Sequence, residues 1–426
     1  MPLTARLLYA GAATLATPAL RLMLRRRLAR GKEIAERLPE RYGIDPTPRP
    51  PGRLLWLHGA SVGEAASALP VLRELDALAP EASVLLTTGT VTSAALLAQR
   101  LPETGLERRV LHRFVPLDVP AWAERFLAHW RPDAAGFLES EIWPNLLVAC
   151  RRRGVPLMLV NARLSARSAT RWRRLPALAR DLFGSFAVLQ AQSAADAARL
   201  AALGAPAATL VGNLKFAAPP LPVDQAELRR LRSLLDGRPC WLAASTHRGE
   251  EAAIAAAHAA LTARHPRLLT IVAPRHPERG AEAAAAFAGL PMTRRGSGGD
   301  APDAAGVWIA DTLGELGLFY SLTGLAFVGG SLVPHGGQNP LEPARLGAAV
   351  AVGPHAFNFA DAVATLEAAG ALSRIADAAG LADWVDALLR DPAARCSMGQ
   401  AGMAAANADA DLPRRVAAAL LDLAGS

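Results

Sequence analysis

Short apolar runs recur along the chain, and between them apolar residues return every three or four positions. LLWLH from Leu54 and SVLLTT from Ser83 read as strands buried on both faces, while Ala65, Ala68, Leu69, Leu72 and Leu75 mark one face of a helix over Ala65–Leu78. The same alternation predicts strands at Val110–Val115, Ala134–Leu138, Pro156–Val160, Ala187–Gln190 and Thr209–Val211. It breaks at APPLPVD, near Pro219–Pro222, and starts again with strands at Trp241–Ala244, Leu268–Val272, Val307–Ala310, Leu325–Val328 and Ala349–Val352. Strand–helix alternation of this kind builds a parallel, doubly wound sheet. The expected fold is α/β, with two Rossmann-like domains facing a cleft and ligands at the carboxyl ends of the strands. A last helical pattern, Leu412–Leu423, can pack on either domain. The expected division is 1–49 for a membrane-associated helix and linker, 50–213 and 214–404 for the two domains, and 405–426 for a C-terminal helix.

Leu7–Leu24 is apolar but interrupted by Pro18 and Arg21, and Arg25, Arg26 and Arg27 follow at once. It is at the short limit for a bilayer span, and its charge follows the apolar run, unlike that of a signal peptide. It either spans, with the body on the cytoplasmic side, or lies in the interface. Residues 45–52 hold four prolines and a glycine, the composition of a linker. Composition sharpens this picture. The net charge is +8, but residues 1–49 hold ten Arg or Lys against four Asp or Glu, leaving about +2 for the rest. A nucleic-acid binder would carry basic stripes over its body, whereas excess charge beside an apolar segment suits an anionic membrane surface. Cys150, Cys240 and Cys396 show no metal spacing and suit small core positions in a reducing compartment. The nine histidines form no metal-binding pair and the Walker lysine loop is absent, so neither metal nor cofactor is expected.

The candidate chemistry lies in the loops that follow the strands. Phe327–Gly347 reads FVGGSLVPHGGQNPLEPARLG. Gly329 and Gly330 with Ser331 permit close backbone approach, and Gln338, Asn339, Pro340 and Glu342 lead into a short helix whose free N–H groups suit an anion. After the first strand come Ser61, Gly63 and Glu64, with Glu64 at a helix start, where it serves as a cap or as a general base. After AAGFL come Glu139, Ser140 and Glu141, two carboxylates that can position a base, hold a sugar hydroxyl or cap the next helix. NARLSARS offers Arg163 and Arg167 for a two-pronged carboxylate or phosphate contact, and GNLKF holds Lys215, one of only two lysines in the chain. In the second half Ser245 and Thr246 can cap a helix or bind an anion, and Arg275 and His276 follow another strand.

These loops and two further segments, DTLGEL and GPHAFNF, nine motifs in order and spacing, resemble the Kdo transferase family of lipopolysaccharide biosynthesis: HGASVGE (58–64), ESEIWPNLL (139–147), NARLSARS (161–168), GNLKF (212–216), ASTHRGEE (244–251), APRHPER (273–279), DTLGEL (311–316), FVGGSLVPHGGQNPLEPA (327–344) and GPHAFNF (353–359). The resemblance covers nearly the whole chain. It implies a GT-B glycosyltransferase that moves 3-deoxy-D-manno-oct-2-ulosonic acid (Kdo) from CMP-Kdo to the lipid A precursor lipid IVA, with inversion, at the cytoplasmic face of the inner membrane. It implies Glu64 as catalytic base and a second essential carboxylate at Glu139 or Glu141. It places CMP contacts on Arg275, the Gly329–Gly330 loop, Asn339 and Glu342, with the acceptor on the N-terminal domain. Arg248 and Gln338 stand where relatives often carry Glu and His. Two rival readings stay open on the residues alone: another GT-B enzyme of the epimerase or UDP-sugar transferase kind, and a membrane-tethered binding protein without turnover.

Overall fold

The computed structural model describes residues 2–217 and 219–425 and contains two seven-stranded sheets, both parallel throughout. The first is built from β1 Leu54–His58, β2 Ser83–Thr88, β3 Val110–Phe114, β4 Ala134–Leu138, β5 Leu157–Ala162, β6 Val188–Ala191 and β7 Ala208–Val211. Its spatial order is β3-β2-β1-β4-β5-β6-β7. The second holds β8 Cys240–Thr246, β9 Leu269–Pro274, β10 Met292–Arg294, β11 Gly306–Ile309, β12 Leu325–Val328, β13 Ala349–Val352 and β14 Leu372–Arg374. Its order is β10-β11-β9-β8-β12-β13-β14.

Successive side chains of a strand leave opposite faces of the sheet, so a strand covered on both sides must be apolar throughout. Leu54 and Trp56 therefore join one core and Leu55 and Leu57 another. The second sheet repeats this with Trp241 and Ala243 against Leu242 and Ala244. Such runs bury few polar groups beyond the paired backbone, the indole N–H groups of Trp56 and Trp241 among them, which is why they were legible as strands. β10 and β14 were not expected; each is a three-residue edge strand, too short to show a period.

The chain divides into two compact units, Met1–Ala218 with Asp409–Ser426, and Pro219–Ala408. The break falls after the Leu214–Phe216 turn, because Leu214 is buried in the first core. The C-terminal helix Leu412–Gly425 belongs wholly to the first unit: Leu412, Val416, Ala417 and Leu420 are its apolar stripe and are buried there.

The N-terminal segment forms two helices, Pro2–Leu15 and Thr17–Ala29, bent by 55° at their junction. Pro18 lies in the first turn of the second helix, where its missing N–H and its ring break the continuity of the ladder. No single helix here is long and apolar enough to cross a membrane, although the bent pair passes by length and composition. The stretch expected to be a linker is fastened down instead. Arg113 pairs with Asp45 at 2.5 Å, His129 Nε2 lies 2.7 Å from the Thr47 carbonyl, and Arg49 donates to the Trp130 carbonyl at 2.9 Å. Arg41 is buried on Glu33 at 3.0 Å and donates to the Gly89 carbonyl at 2.7 Å. Part of the basic excess is thus internal, and the exposed share includes Arg25, Arg26 and Arg30. Of the cysteines only Cys150 is a core residue; Cys240 is half-buried and Cys396 is exposed.

Candidate active site

In an open parallel sheet the ligand crevice lies where the strand order reverses, because the loops there leave in opposite directions. In the first sheet that point is between β1 and β4. The loops after these strands carry Glu64 and the Glu139–Ser140–Glu141 segment. The helix after β1 spans Val62–Leu78, and Ser61 is its N-cap, accepting from the Glu64 N–H at 3.3 Å. Glu64 is 7% exposed, and its carboxylate is held at both oxygens: Ala60 N–H donates at 2.6 Å and Ser61 Oγ at 2.8 Å. Capping and chemistry are therefore not exclusive here, since the cap is what aims the carboxylate. Burial raises its pKa above the ordinary value, and the charges of Glu141 and Glu139 raise it further against the two hydrogen bonds.

Its neighbours are held differently. Glu141 lies 3.5 Å from His58 Nε2, an ion-pair distance, and accepts from Trp143 Nε1 at 2.6 Å. Burial pushes its pKa up, but His58 and Trp143 outweigh it and the net shift is downward. Glu139 pairs with Lys215 Nζ at 2.7 Å and has a left-handed backbone, φ 55°. A non-glycine residue in that region is strained, and such residues cluster at functional sites. Lys215 reaches Glu139 because Asn161, also left-handed at φ 52°, accepts from Leu214 N–H at 3.0 Å, and Asp409 accepts from Asn213 N–H at 2.7 Å. Neither Asn161 nor Asp409 was expected to matter; only the returning C-terminal segment brings Asp409 there. Ser61, Gly63 and Arg163 are exposed at these loops, and the Arg163 carbonyl accepts from Ser140 Oγ. A cavity of about 150 Å³ opens between Glu139, Ser140 and Arg163.

In the second sheet the order reverses between β8 and β12. The β12 loop carries Gly329, Gly330 and Ser331, and its backbone is held from within the unit. The N–H groups of Gly330 and Ser331 are not open to an anion: both point at the carboxylate of Glu250, at 2.6 and 3.0 Å. The helix at Leu341–Arg345 is only five residues long, and Asn339 Oδ1 takes its Leu341 N–H at 3.1 Å. Asn339 Nδ2 also donates to Glu342 at 3.3 Å. Glu342 is half-buried; burial raises its pKa against Asn339, Arg345 and Arg275.

Ser245 and Thr246 do not cap the helix Glu250–Thr262, whose N-cap is Gly249 at φ 97°. Ser245 is left-handed at φ 55° and buried, and Thr246 Oγ1 donates to Glu251 at 3.1 Å. Arg275 and His276 are exposed after β9. Near them stand two histidines that sequence reasoning treated as scattered. The His247 and His335 rings stack 3.9 Å apart at 33°, and His276 approaches His247 edge-on at 6.4 Å. Burial lowers the His247 pKa to about 4, helped by His335, His276, Arg279 and Arg275, so its imidazole is neutral at pH 7. A separation of 88 positions in the chain hides this pair from any local pattern. Among the described residues no group of three His, Cys, Asp or Glu side chains is placed to hold a metal ion.

The first unit is matched over residues 36–218 by the family model described as 3-deoxy-D-manno-octulosonic-acid transferase (kdotransferase). The chain is 40% identical over 385 residues to the 3-deoxy-D-manno-octulosonic acid transferase of Bordetella pertussis, covering 89% of each protein. It is 37% identical over 377 residues to that of Haemophilus influenzae, covering 86% of each. Among solved structures, MurG of Acinetobacter baumannii superposes with a TM-score of 0.53 at 14% identity, over 87% of this chain and all of that one, a likeness of fold. The two parallel seven-stranded sheets are thus those of a GT-B glycosyltransferase, and the chain belongs to the Kdo transferase family.

Proposed function

We propose that this enzyme transfers Kdo from CMP-Kdo to lipid IVA with inversion at the anomeric carbon, and that Glu64 is the general base. The observation that carries this reading is the state of Glu64. It is nearly buried, aimed by Ala60 and Ser61, and raised in pKa beside two further carboxylates. A base works best when its pKa approaches the working pH, and burial together with like charge moves a glutamate that way. The Glu64 carboxylate takes the proton of the acceptor's primary hydroxyl. That oxygen forms the new bond to the anomeric carbon, and the bond from that carbon to the phosphate oxygen breaks, its electron pair leaving with CMP. The Lys215–Glu139 and His58–Glu141 pairs hold the flanking carboxylates in place during the attack.

The donor falls to the second unit. Arg275 and His276 are exposed beside the His247–His335 stack, and such side chains match the single phosphate of a cytidylate and the carboxylate of Kdo. The acceptor is a lipid, and the N-terminal helices suit an enzyme working at the cytoplasmic face of the inner membrane. Leu8 is 70% and Leu15 84% exposed, with Arg25 and Arg26 alongside in the second helix. The test is mass spectrometry of lipid IVA after incubation with the purified enzyme and CMP-Kdo. Addition of Kdo with release of CMP is expected; turnover only with a UDP-sugar donor, or none with any donor, overturns the reading.

A further inference from the structure

Glu250 is the first residue of its helix and is wholly buried. Its Oε2 accepts from His247 N–H at 2.9 Å and Gly330 N–H at 2.6 Å. Its Oε1 accepts from Ser331 N–H at 3.0 Å and Leu332 N–H at 2.9 Å. An ionised carboxylate offers about four acceptor positions, and backbone fills them here. The donors come from two loops, one after β8 and one after the adjacent β12. Gly329 is required at the crossing: a Cβ there would stand 2.7 Å from the Ser245 carbonyl oxygen and 2.9 Å from Glu250 Oε2. The same carboxylate that closes the β12 loop fixes the backbone of His247. The His247 ring then meets His335, and its Nε2 lies 3.0 Å from Gln338 Nε2.

Successive loop N–H groups of this kind form a concavity that binds anions. In this molecule the anion is internal. We propose that Glu250 is a positioning residue of the donor site: it occupies the amides of Gly330, Ser331 and Leu332 and sets His247, so that anion recognition falls to side chains, His247, His276, His335 and Arg275. Glu250 does not touch the donor; it acts through the two loops. The inference rests on the reading of the second unit as the donor unit.

Glu250→Gln tests it with little change of shape. The amide keeps one acceptor oxygen and turns an NH₂ group against two backbone N–H groups. The expected result is a rise of about tenfold or more in the KM for CMP-Kdo, with kcat and the KM for lipid IVA within about twofold. The Kd for CMP, measured by calorimetry, rises by the same factor. Glu250→Ala leaves room for a small carboxylate, and sodium formate restores CMP affinity to that variant and not to Glu250→Gln. If folded Glu250→Gln binds CMP like the wild type, the inference is overturned. It is equally overturned if the apparent kcat declines with the folded fraction while both KM values stay at the wild-type level and formate has no effect. Should Glu250→Ala not fold, Glu250→Gln decides alone. Failure of the donor reading shows separately, in the wild type, as absence of CMP binding; the variant-to-wild-type ratio is then taken with inorganic phosphate, the anion chemistry that Glu250 is held to arrange.

Discussion

Glu64 and Glu250 stand at matching places in the two units. Each lies in the first turn of the helix after a strand at the point where its sheet reverses order, and each is buried. Glu64 receives one backbone N–H and one hydroxyl, and two further carboxylates raise its pKa. Glu250 receives four backbone N–H groups. The first arrangement leaves acceptor capacity for a substrate proton, and the second leaves none. On the roles proposed for them, the number and kind of donors, more than burial, separate the base from the brace.

The comparison breaks most sharply at Glu64. Glu64→Ala is expected to lower kcat by about 10²–10⁴-fold, the range for loss of a general base, while the variant keeps the wild-type circular dichroism spectrum. Next in size is a stability effect confined to the first unit. Leu420→Ala removes a fully buried side chain from the core under the C-terminal helix. It should cost about 2–5 kcal/mol in denaturant unfolding, with the transition of the second unit unmoved.

A pH profile sharpens the contrast further. With Glu64 as the proposed base, its raised pKa predicts that activity falls as pH drops through that value, because the carboxylate becomes protonated. Glu141 is one of the charges that raise it, so Glu141→Gln lets the pKa descend, and the acid limb of kcat should move to lower pH. A shift to higher pH would show that the coupling has the opposite sign. Linkage gives the matching stability effect. A carboxyl whose folded pKa exceeds its unfolded value stabilises fully below the unfolded value, and that contribution is lost as pH rises through the folded one. The relative stability of Glu64→Gln over wild type should therefore grow between pH 4 and pH 7, read from melting temperatures taken at each pH. The smallest effect is expected at Arg248, which pairs with Glu282 on the surface at 83% exposure. Arg248→Ala should leave the denaturant unfolding midpoint of the second unit unmoved.

Much of this architecture was legible. Buried strands such as Leu54–His58 and Leu325–Val328 announce themselves because both faces must be apolar. The loops after them were legible as candidate sites for the same reason: in parallel sheets the strand ends define the crevice. What sequence reasoning could not supply was who meets whom. Glu250 reaches Gly330 across 80 positions, and Asp409 reaches Asn213 across 196. The glycines and helix start after β12 suggested a nucleotide cradle, but a pattern of residues does not tell that the Gly330 and Ser331 N–H groups point at Glu250. The proline-rich stretch at 45–52 suggested a linker, because composition does not reveal that Asp45 and Arg49 are tied to the first unit.

The most direct test of the account is a paired assay of wild type and Glu64→Ala with CMP-Kdo and lipid IVA, followed by mass spectrometry of the lipid. The account predicts that the wild type adds Kdo to lipid IVA and that the folded variant forms product at about a hundredth of the wild-type rate or less. Turnover by the variant within about tenfold of wild type, a loss of only ~1.4 kcal/mol, would contradict it.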